Sequence, residues 1–144
     1  MGYLLDIVAL EKAAVAFGNA LDFSAKAELK PANTRPFFEI EASRASVIHH
    51  FALCYELCLK TLNHLFDAAA GAEDRQLTRK EIFRQSQRKG ILKDVARWNR
   101  YHAAWNMTSH TYNSETEREI FQAAKIFATD LHDFAKTIKA HVKG

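Results

Sequence analysis

The chain has 144 residues, a hydrophobic fraction of 48%, a charged fraction of 26% and a formal net charge of +3 at pH 7. This size and composition indicate one globular domain over residues 1–144, with a core that needs no disulfide or metal to hold it. They exclude a disordered chain, and no apolar run approaches the roughly 18 residues that a membrane span requires.

The first six residues lack the basic region, the uninterrupted apolar stretch and the cleavage site of a secretory signal. We therefore expect a cytoplasmic protein, in which Cys54 and Cys58 stay reduced and fill space in a helical core. A zinc site is not expected because there is no second cysteine pair. The sequence also lacks a glycine-rich phosphate loop, and we expect no metal or cofactor.

Glycine and proline are sparse, with five and two residues, so the segments between them are long enough for helices. The first predicted helix runs from Tyr3 to about Glu28 and ends before Pro31 and Pro36, which cannot continue it. Its apolar positions recur at mixed spacings of three and four: Leu4, Ile7, Val8, Val15, Leu21 and Phe23.

A second, longer helix is predicted from Phe37 to about Ala70. Its apolar positions alternate steps of three and four and form a continuous seam facing the rest of a bundle. These positions are Ile48, Phe51, Tyr55, Cys58, Leu62 and Leu65. On the same helix, Glu56 and Lys60 stand four residues apart in the order that stabilises a helix.

Two shorter helices follow in the sequence. Thr78 and Glu81 form a capping box that begins a third helix, which runs to about Lys89 and is stopped by Gly90. A fourth helix is predicted from about Asp94 to Ser109.

A second capping box, Ser114 with Glu117, begins the fifth predicted helix. Its apolar seam again alternates threes and fours: Ile120, Ala124, Phe127, Leu131, Phe134 and Ile138. Four helices have bundle length and the third is shorter. The sequence therefore predicts an all-α protein, an antiparallel up-and-down four-helix bundle with one short accessory helix.

Polar side chains cluster where the fourth helix ends. His102, Asn106 and His110 are each four residues apart, so they share one face of a continuous helix. On residue types alone, the first interpretation is structural: the imidazoles and the amide satisfy each other and nearby backbone in a core. The functional interpretation is a nucleotide or RNA site centred on His110.

Basic residues are concentrated between positions 75 and 100, where nine stand against two acidic ones. Lys80, Arg84 and Arg88 repeat every four residues and form a row along one side of the third helix. Such a row suits a ligand that carries phosphate, and Arg97 and Arg100 extend the basic segment toward His102. The alternative is a solvated surface helix.

Several segments resemble one known family. On the second helix these are Arg44, Ile48, Phe51, Tyr55, Glu56, Leu59 and Lys60; they are followed by residues 90–92 and by the run Asn106-Met107-Thr108-Ser109-His110-Thr111-Tyr112-Asn113. Together they look like the nucleotidyltransferase substrate-binding protein family, a branch of the HEPN superfamily. The resemblance implies a helical bundle that homodimerises. It also implies a partner, a minimal nucleotidyltransferase encoded nearby, in a two-component system resembling a toxin and antitoxin.

The resemblance also implies which positions would carry ribonuclease chemistry. Catalytic members of the superfamily cut RNA without metal, using an arginine five residues before the histidine at the dimer cleft. Here that position is Trp105. Tryptophan cannot neutralise charge building on a phosphate as a guanidinium does. Arg100 does not replace it, because five residues along a helix turn a side chain by about 140°.

Tyr112 occupies the position at which, in paired systems of this type, the nucleotidyltransferase modifies a tyrosine two residues after the histidine. A nucleotidyl adduct there would put bulk and negative charge beside His110. The ordinary alternative is an aromatic lid on the helix end. The resemblance also places Glu56 in a recurrent pattern that lines the cleft.

Three hypotheses follow. The first is a binding subunit that docks a minimal nucleotidyltransferase and binds nucleotide or RNA. Its candidate binding residues are Arg84, Arg88, Arg97, Arg100, His102 and Trp105. The second is a metal-independent endoribonuclease with His110 and Asn106 as catalytic residues, silenced at Tyr112. The third is a structural dimeric bundle, in which Trp98, Tyr101 and Trp105 form an aromatic interface and the polar stripe is packing.

Overall fold

The computed structural model describes residues 2–30, 37–70, 77–109 and 113–143. Five helices account for nearly all of these residues: α1 (Gly2–Leu29), α2 (Phe37–Ala70), α3 (Arg79–Arg88), α4 (Val95–Met107) and α5 (Ser114–Lys143). The predicted all-α fold class is confirmed. Among the described residues, no helix is long and apolar enough to cross a membrane.

Contacts between the long helices set their directions. Asp6 near the start of α1 lies beside His64 near the end of α2, and Glu28 at the other end of α1 pairs with Arg44. Helix α5 is likewise antiparallel to α1, because Lys139 near the end of α5 approaches Glu11 in the first half of α1. Helix α4 is antiparallel to α5, because Lys93 pairs with Asp133 and Arg97 with Asp130. The four long helices therefore alternate in direction along the chain, and the short α3 is the accessory helix.

The predicted seams of α2 and α5 form the centre of a core to which all five helices contribute buried residues. Every seam position of α5 is buried, and on α2 only Leu65 is partly exposed. Cys54 and Cys58 lie in this core as free thiols, and burial raises the pKa of Cys54 to about 12, so both behave as packing residues. Phe127 of α5 lies at the centre, in ring contact with Phe51 of α2.

The predicted apolar face of α1 is wrong in part. Val8, Val15 and Phe23 are exposed, with 53%, 65% and 49% of their surface accessible. Ile7 of the predicted face is buried, as is Asp6, but from Leu10 onward the buried positions form a heptad seam: Leu10, Ala13, Phe17, Ala20, Ser24 and Ala27. In that seam every second position is an alanine, which lets the helices approach closely, whereas Val8 and Val15 fall at the outermost heptad position.

The helix ends follow the predicted capping in α3 but not in α5. The Thr78 hydroxyl accepts a hydrogen bond from the Glu81 backbone N–H, and Gly90 has a φ of 77°, a left-handed conformation that suits glycine after a helix. At α5 the side chain of Asn113, rather than that of Ser114, accepts from the backbone of Thr116 at 3.0 Å.

Helix α4 is shorter than predicted. Asp94 caps its start, accepting from the Arg97 backbone N–H. The last helical residue is Met107, not Ser109, and the Thr108 hydroxyl donates to the carbonyl of Trp105 at 2.6 Å. Of the three residues predicted to share a helix face, His102 and Asn106 lie on α4, and His110 lies outside the described residues.

Candidate functional site

Three aromatic rings meet where α4 lies against α2. Tyr55 of α2 and His102 and Trp105 of α4 have centroids separated by 5.4–5.7 Å, and the rings are tilted against one another. Tyr55 is buried, whereas His102 and Trp105 are partly exposed. These three residues, called the α2–α4 aromatic cluster below, present a half-open aromatic surface with polar atoms at its edges.

A hydrogen bond fixes the histidine of the cluster. The Tyr55 hydroxyl oxygen and His102 Nδ1 are 2.8 Å apart. Burial lowers the pKa of His102 and the positive charge of Arg79 lowers it further, while burial raises the pKa of Tyr55. The imidazole is thus neutral near pH 7. When the protonated phenol donates to Nδ1, Nε2 carries the ring proton and can donate to a ligand.

Glu56 fixes the tryptophan. Trp105 Nε1 donates to Glu56 Oε1 at 3.1 Å, across 49 residues of sequence. The predicted pair of Glu56 with Lys60 is not the contact that forms, because Glu56 turns to the indole and the Lys60 ammonium lies 3.9 Å from Asp6. The exposed Glu56 carboxylate therefore borders the aromatic cluster.

Arg79, at the start of α3, brings a positive charge to this site. Its Nη1 donates to Asn99 Oδ1 at 2.8 Å, and its guanidinium lies 5.2 Å from the Phe83 ring centroid. Sequence reasoning counted Arg79 among the basic residues but did not select it as a site residue. The available signal was its spacing of four from Phe83, which places Arg79 on the inward side of α3.

The predicted basic row lies elsewhere on α3. Lys80, Arg84 and Arg88 are exposed, and they point away from the buried face formed by Ile82 and Phe83. Their outward direction follows from helix geometry, because they are offset from the buried face by about 150°. The row is therefore exposed to solvent on the side of α3 that faces away from its buried residues, whereas Arg79 lies on the side nearer the aromatic cluster.

Arg97 is engaged within the protein. Its Nε and Nη2 donate to the two carboxylate oxygens of Asp130, each at 2.8 Å, and Nη1 donates to Asp94 at 3.2 Å. The Tyr101 hydroxyl also donates to Asp130, at 2.5 Å. These contacts hold α4 against α5. Arg100, by contrast, is exposed and lines a small cavity of about 260 Å³ with Ile126.

The electrostatics of Asp130 fit this structural role. Burial by itself would raise the pKa of Asp130, but hydrogen bonds from Arg97 and Tyr101, with the charges of Arg97 and Lys93, outweigh it. The pKa of Asp130 therefore lies below its usual value. The aspartate stays ionised at neutral pH and keeps the arginine in place.

Of the predicted catalytic and modification residues Asn106, His110 and Tyr112, the structure describes only Asn106. Asn106 is exposed at the end of α4, where its backbone carbonyl accepts a hydrogen bond from the Ser109 hydroxyl. His110 and Tyr112 lie outside the described residues. Within the described ranges, no three His, Cys, Asp or Glu side chains come together to hold a metal ion.

The aromatic interface of the third hypothesis does not exist as predicted. Trp98 and Tyr101 are 1% and 2% exposed and belong to the core of a single chain. Trp98 packs against Phe83, Phe127 and Phe134. Of the three residues assigned to that interface, only Trp105 is available to contact another molecule.

This fold is that of a known class of small helical bundles. A solved structure from Haemophilus influenzae, described as revealing the fold of a substrate binding domain of a nucleotidyltransferase, matches 92% of this chain and 98% of its own. The TM-score is 0.78 at 21% sequence identity, a level at which the match shows the fold alone.

The chain belongs to the family described as nucleotidyltransferase substrate binding protein like, whose sequence profile matches residues 5–140. The family resemblance noted in the sequence is thereby confirmed. A probable ribonuclease HepT from Haemophilus influenzae is 32% identical over 79 residues, 54% of this chain. The matched part spans about half the length of that relative.

Proposed function

We propose that this protein is the nucleotide-binding or substrate-binding subunit of a two-component pair with a minimal nucleotidyltransferase. The observation that carries the proposal is the α2–α4 aromatic cluster: a neutral His102 and a partly exposed Trp105, each held by a side chain of α2. The cluster offers stacking surface and hydrogen-bond donors. Membership of the substrate-binding family supports this assignment.

The same geometry favours binding over cleavage. Cleavage of RNA by a histidine needs a nearby cation to neutralise charge that builds on the phosphate. Trp105 stands where the family resemblance places an arginine, and the charge of Arg97 is compensated by the carboxylate of Asp130. Loss of one such donor typically lowers a rate about a hundredfold to a thousandfold.

The second candidate function is a metal-independent endoribonuclease that uses His110 and Asn106 and is silenced by nucleotidylation of Tyr112. The specific observation in its favour is the likeness to the probable ribonuclease HepT. In either function we expect a homodimer. We also expect the protein to copurify with a minimal nucleotidyltransferase encoded beside it.

Binding and cleavage can be measured in the same reaction. Purified protein, free of its partner, is incubated in chelator with a labelled single-stranded RNA of mixed sequence. We expect the native protein to retain the RNA on a filter without shortening it on a gel. We expect Trp105→Arg, which restores the motif, to cleave it, and Trp105→Arg combined with His110→Ala to be inactive.

The outcomes separate the two candidates. Cleavage by the native protein that disappears in His110→Ala would establish the ribonuclease and overturn the binding proposal. Retention without cleavage supports the binding subunit. If the native protein neither binds nor cleaves RNA, and nucleotides do not raise its melting temperature, the binding proposal is wrong.

A further inference from the structure

The two tryptophans of this chain have opposite environments. Trp98 is 1% exposed and surrounded by core rings, whereas Trp105 lies at the edge of the bundle with part of its indole accessible. We propose that Trp105 is a stacking platform for an unpaired nucleobase, with the phosphate of the same nucleotide directed toward Arg79. This inference rests on the proposed function and specifies the chemistry of its ligand.

The indole is held in place before any ligand arrives. Its Nε1 is bound to Glu56, and its ring packs against Tyr55 and His102, whose own positions are fixed by their 2.8 Å hydrogen bond. A rigid aromatic side chain loses little conformational freedom when a base stacks on it. Such preorganisation is what a binding surface needs and what a loosely packed surface tryptophan lacks.

The charged side chains beside the cluster determine how a nucleotide would be oriented. Arg79 is bound to Asn99, and Glu56 is bound to Trp105. Residues 99 and 105 are six apart on α4, about 9 Å along the helix axis and about 120° around it, and His102, whose pKa the charge of Arg79 lowers, lies between them. The cation and the carboxylate thus flank opposite ends of the cluster. A phosphate is attracted at the Arg79 end and repelled at the Glu56 end, so a base over Trp105 points its phosphate toward Arg79.

The chemistry of stacking selects the ligand class. Every base has a π face, so a tryptophan platform tolerates any sequence, but it requires that face to be free. A duplex does not offer one, because its bases are stacked on each other. The ligand is therefore a free nucleotide or a single strand. The substitution of tryptophan for the motif arginine thus exchanges a phosphate-neutralising group for a base-binding one.

Direct binding measurements on the full chain test the platform. A fluorescein-labelled eight-nucleotide RNA, oligo(U) or oligo(A), is titrated with protein in chelator and followed by anisotropy. UMP, AMP and an unlabelled RNA duplex serve as competitors. We expect Trp105→Leu to weaken binding about tenfold or more, Trp105→Phe to stay within about threefold of native, and the duplex to compete poorly.

Charge variants test the orientation. We expect Arg79→Gln to weaken binding and to lower the slope of log affinity against log salt by about one, as for the loss of one phosphate contact. Lys12→Gln is the matched control, because Lys12 is an exposed cation on α1, a helix that does not contact α4. We expect this control to bind as the native protein does.

The results distinguish failure of the platform from failure of the proposed function. If the native protein binds RNA but Trp105→Leu binds equally well with an unchanged melting temperature, or if the duplex competes as well as the single strand, the platform is wrong and the binding function stands. If the native protein binds neither nucleotides nor RNA, both are wrong. Competition by UMP and AMP at the affinity of the oligonucleotides identifies a mononucleotide site, and weaker competition identifies a strand.

Discussion

Asp130 joins α5 to α4 through three hydrogen bonds. It is 5% exposed, and both of its oxygens accept hydrogen bonds from α4, from the Arg97 guanidinium and the Tyr101 hydroxyl. Burial of a carboxylate is unfavourable unless charge and hydrogen bonds compensate for it. Here they do. The same contacts orient α4 so that an adjacent side of the helix, about 90° away, carries His102 and Trp105 to α2.

Asp130→Asn is expected to lower the free energy of unfolding by about 2–3 kcal/mol at pH 7, because hydrogen bonds to a charged group are lost. The native pKa of Asp130 is depressed, so its contribution is present above the unfolded value of about 3.9 and is lost as the pH falls through the native value. The difference in free energy of unfolding between the native protein and Asp130→Asn should therefore become smaller below pH 4. Urea unfolding at several pH values measures it.

Asp133→Asn is the control for this prediction. Asp133 pairs with Lys93 at 2.9 Å, but Lys93 is 65% exposed, and exposed ion pairs contribute little. We expect a change within about 0.5 kcal/mol. Equal effects of the two variants would contradict the structural role assigned to Asp130.

At the scale of helices, the sequence predicts α2, α3 and α5 well because their signals are local. The seams of α2 and α5 consist of large apolar residues, and Thr78 and Gly90 mark the ends of α3. The face of α1 is harder to predict. Alanine supplies half of its buried seam, and alanine is common on both sides of helices, so Val8 and Val15 dominate the apparent pattern.

The site was only partly predictable for a different reason. His102 and Trp105 stand out in the sequence, but their partners Tyr55 and Glu56 lie 47 and 49 residues away. No local spacing encodes such contacts, since they depend on how α4 packs on α2. For the same reason the sequence around Arg97 does not reveal that this arginine pairs with Asp130 of α5.

The start of α5 tests which of two neighbouring residues caps the helix. Two neighbouring residues, Asn113 and Ser114, can both cap a helix, and the structure uses Asn113. Asn113→Ala should lower the free energy of unfolding by about 1 kcal/mol, because the Thr116 backbone N–H loses its acceptor. Ser114→Ala should change the free energy of unfolding by a few tenths of a kcal/mol at most. Thermal and urea unfolding distinguish these outcomes, and the reverse order would place the cap at Ser114.

At the scale of the whole molecule, one ring connects most of the bundle. Phe127 of α5 contacts Phe17 of α1, Phe51 and Tyr55 of α2, and Trp98 and Tyr101 of α4, with centroids 5.0–6.5 Å apart. Tyr55 is also the residue that hydrogen-bonds to His102. The core and the candidate site are therefore one packed unit, and a cavity at Phe127 removes support from both.

Phe127→Ala is expected to lower the free energy of unfolding by about 3–5 kcal/mol, the cost of removing a fully buried aromatic ring. Because Phe127 joins α1, α2 and α4, the transitions followed by far-ultraviolet circular dichroism and by tryptophan fluorescence should shift together. Phe38→Ala, at a site that is 81% exposed, should leave both transitions unchanged. A Phe127→Ala protein whose fluorescence transition shifts while its helical signal does not would show that α4 unfolds separately from the bundle.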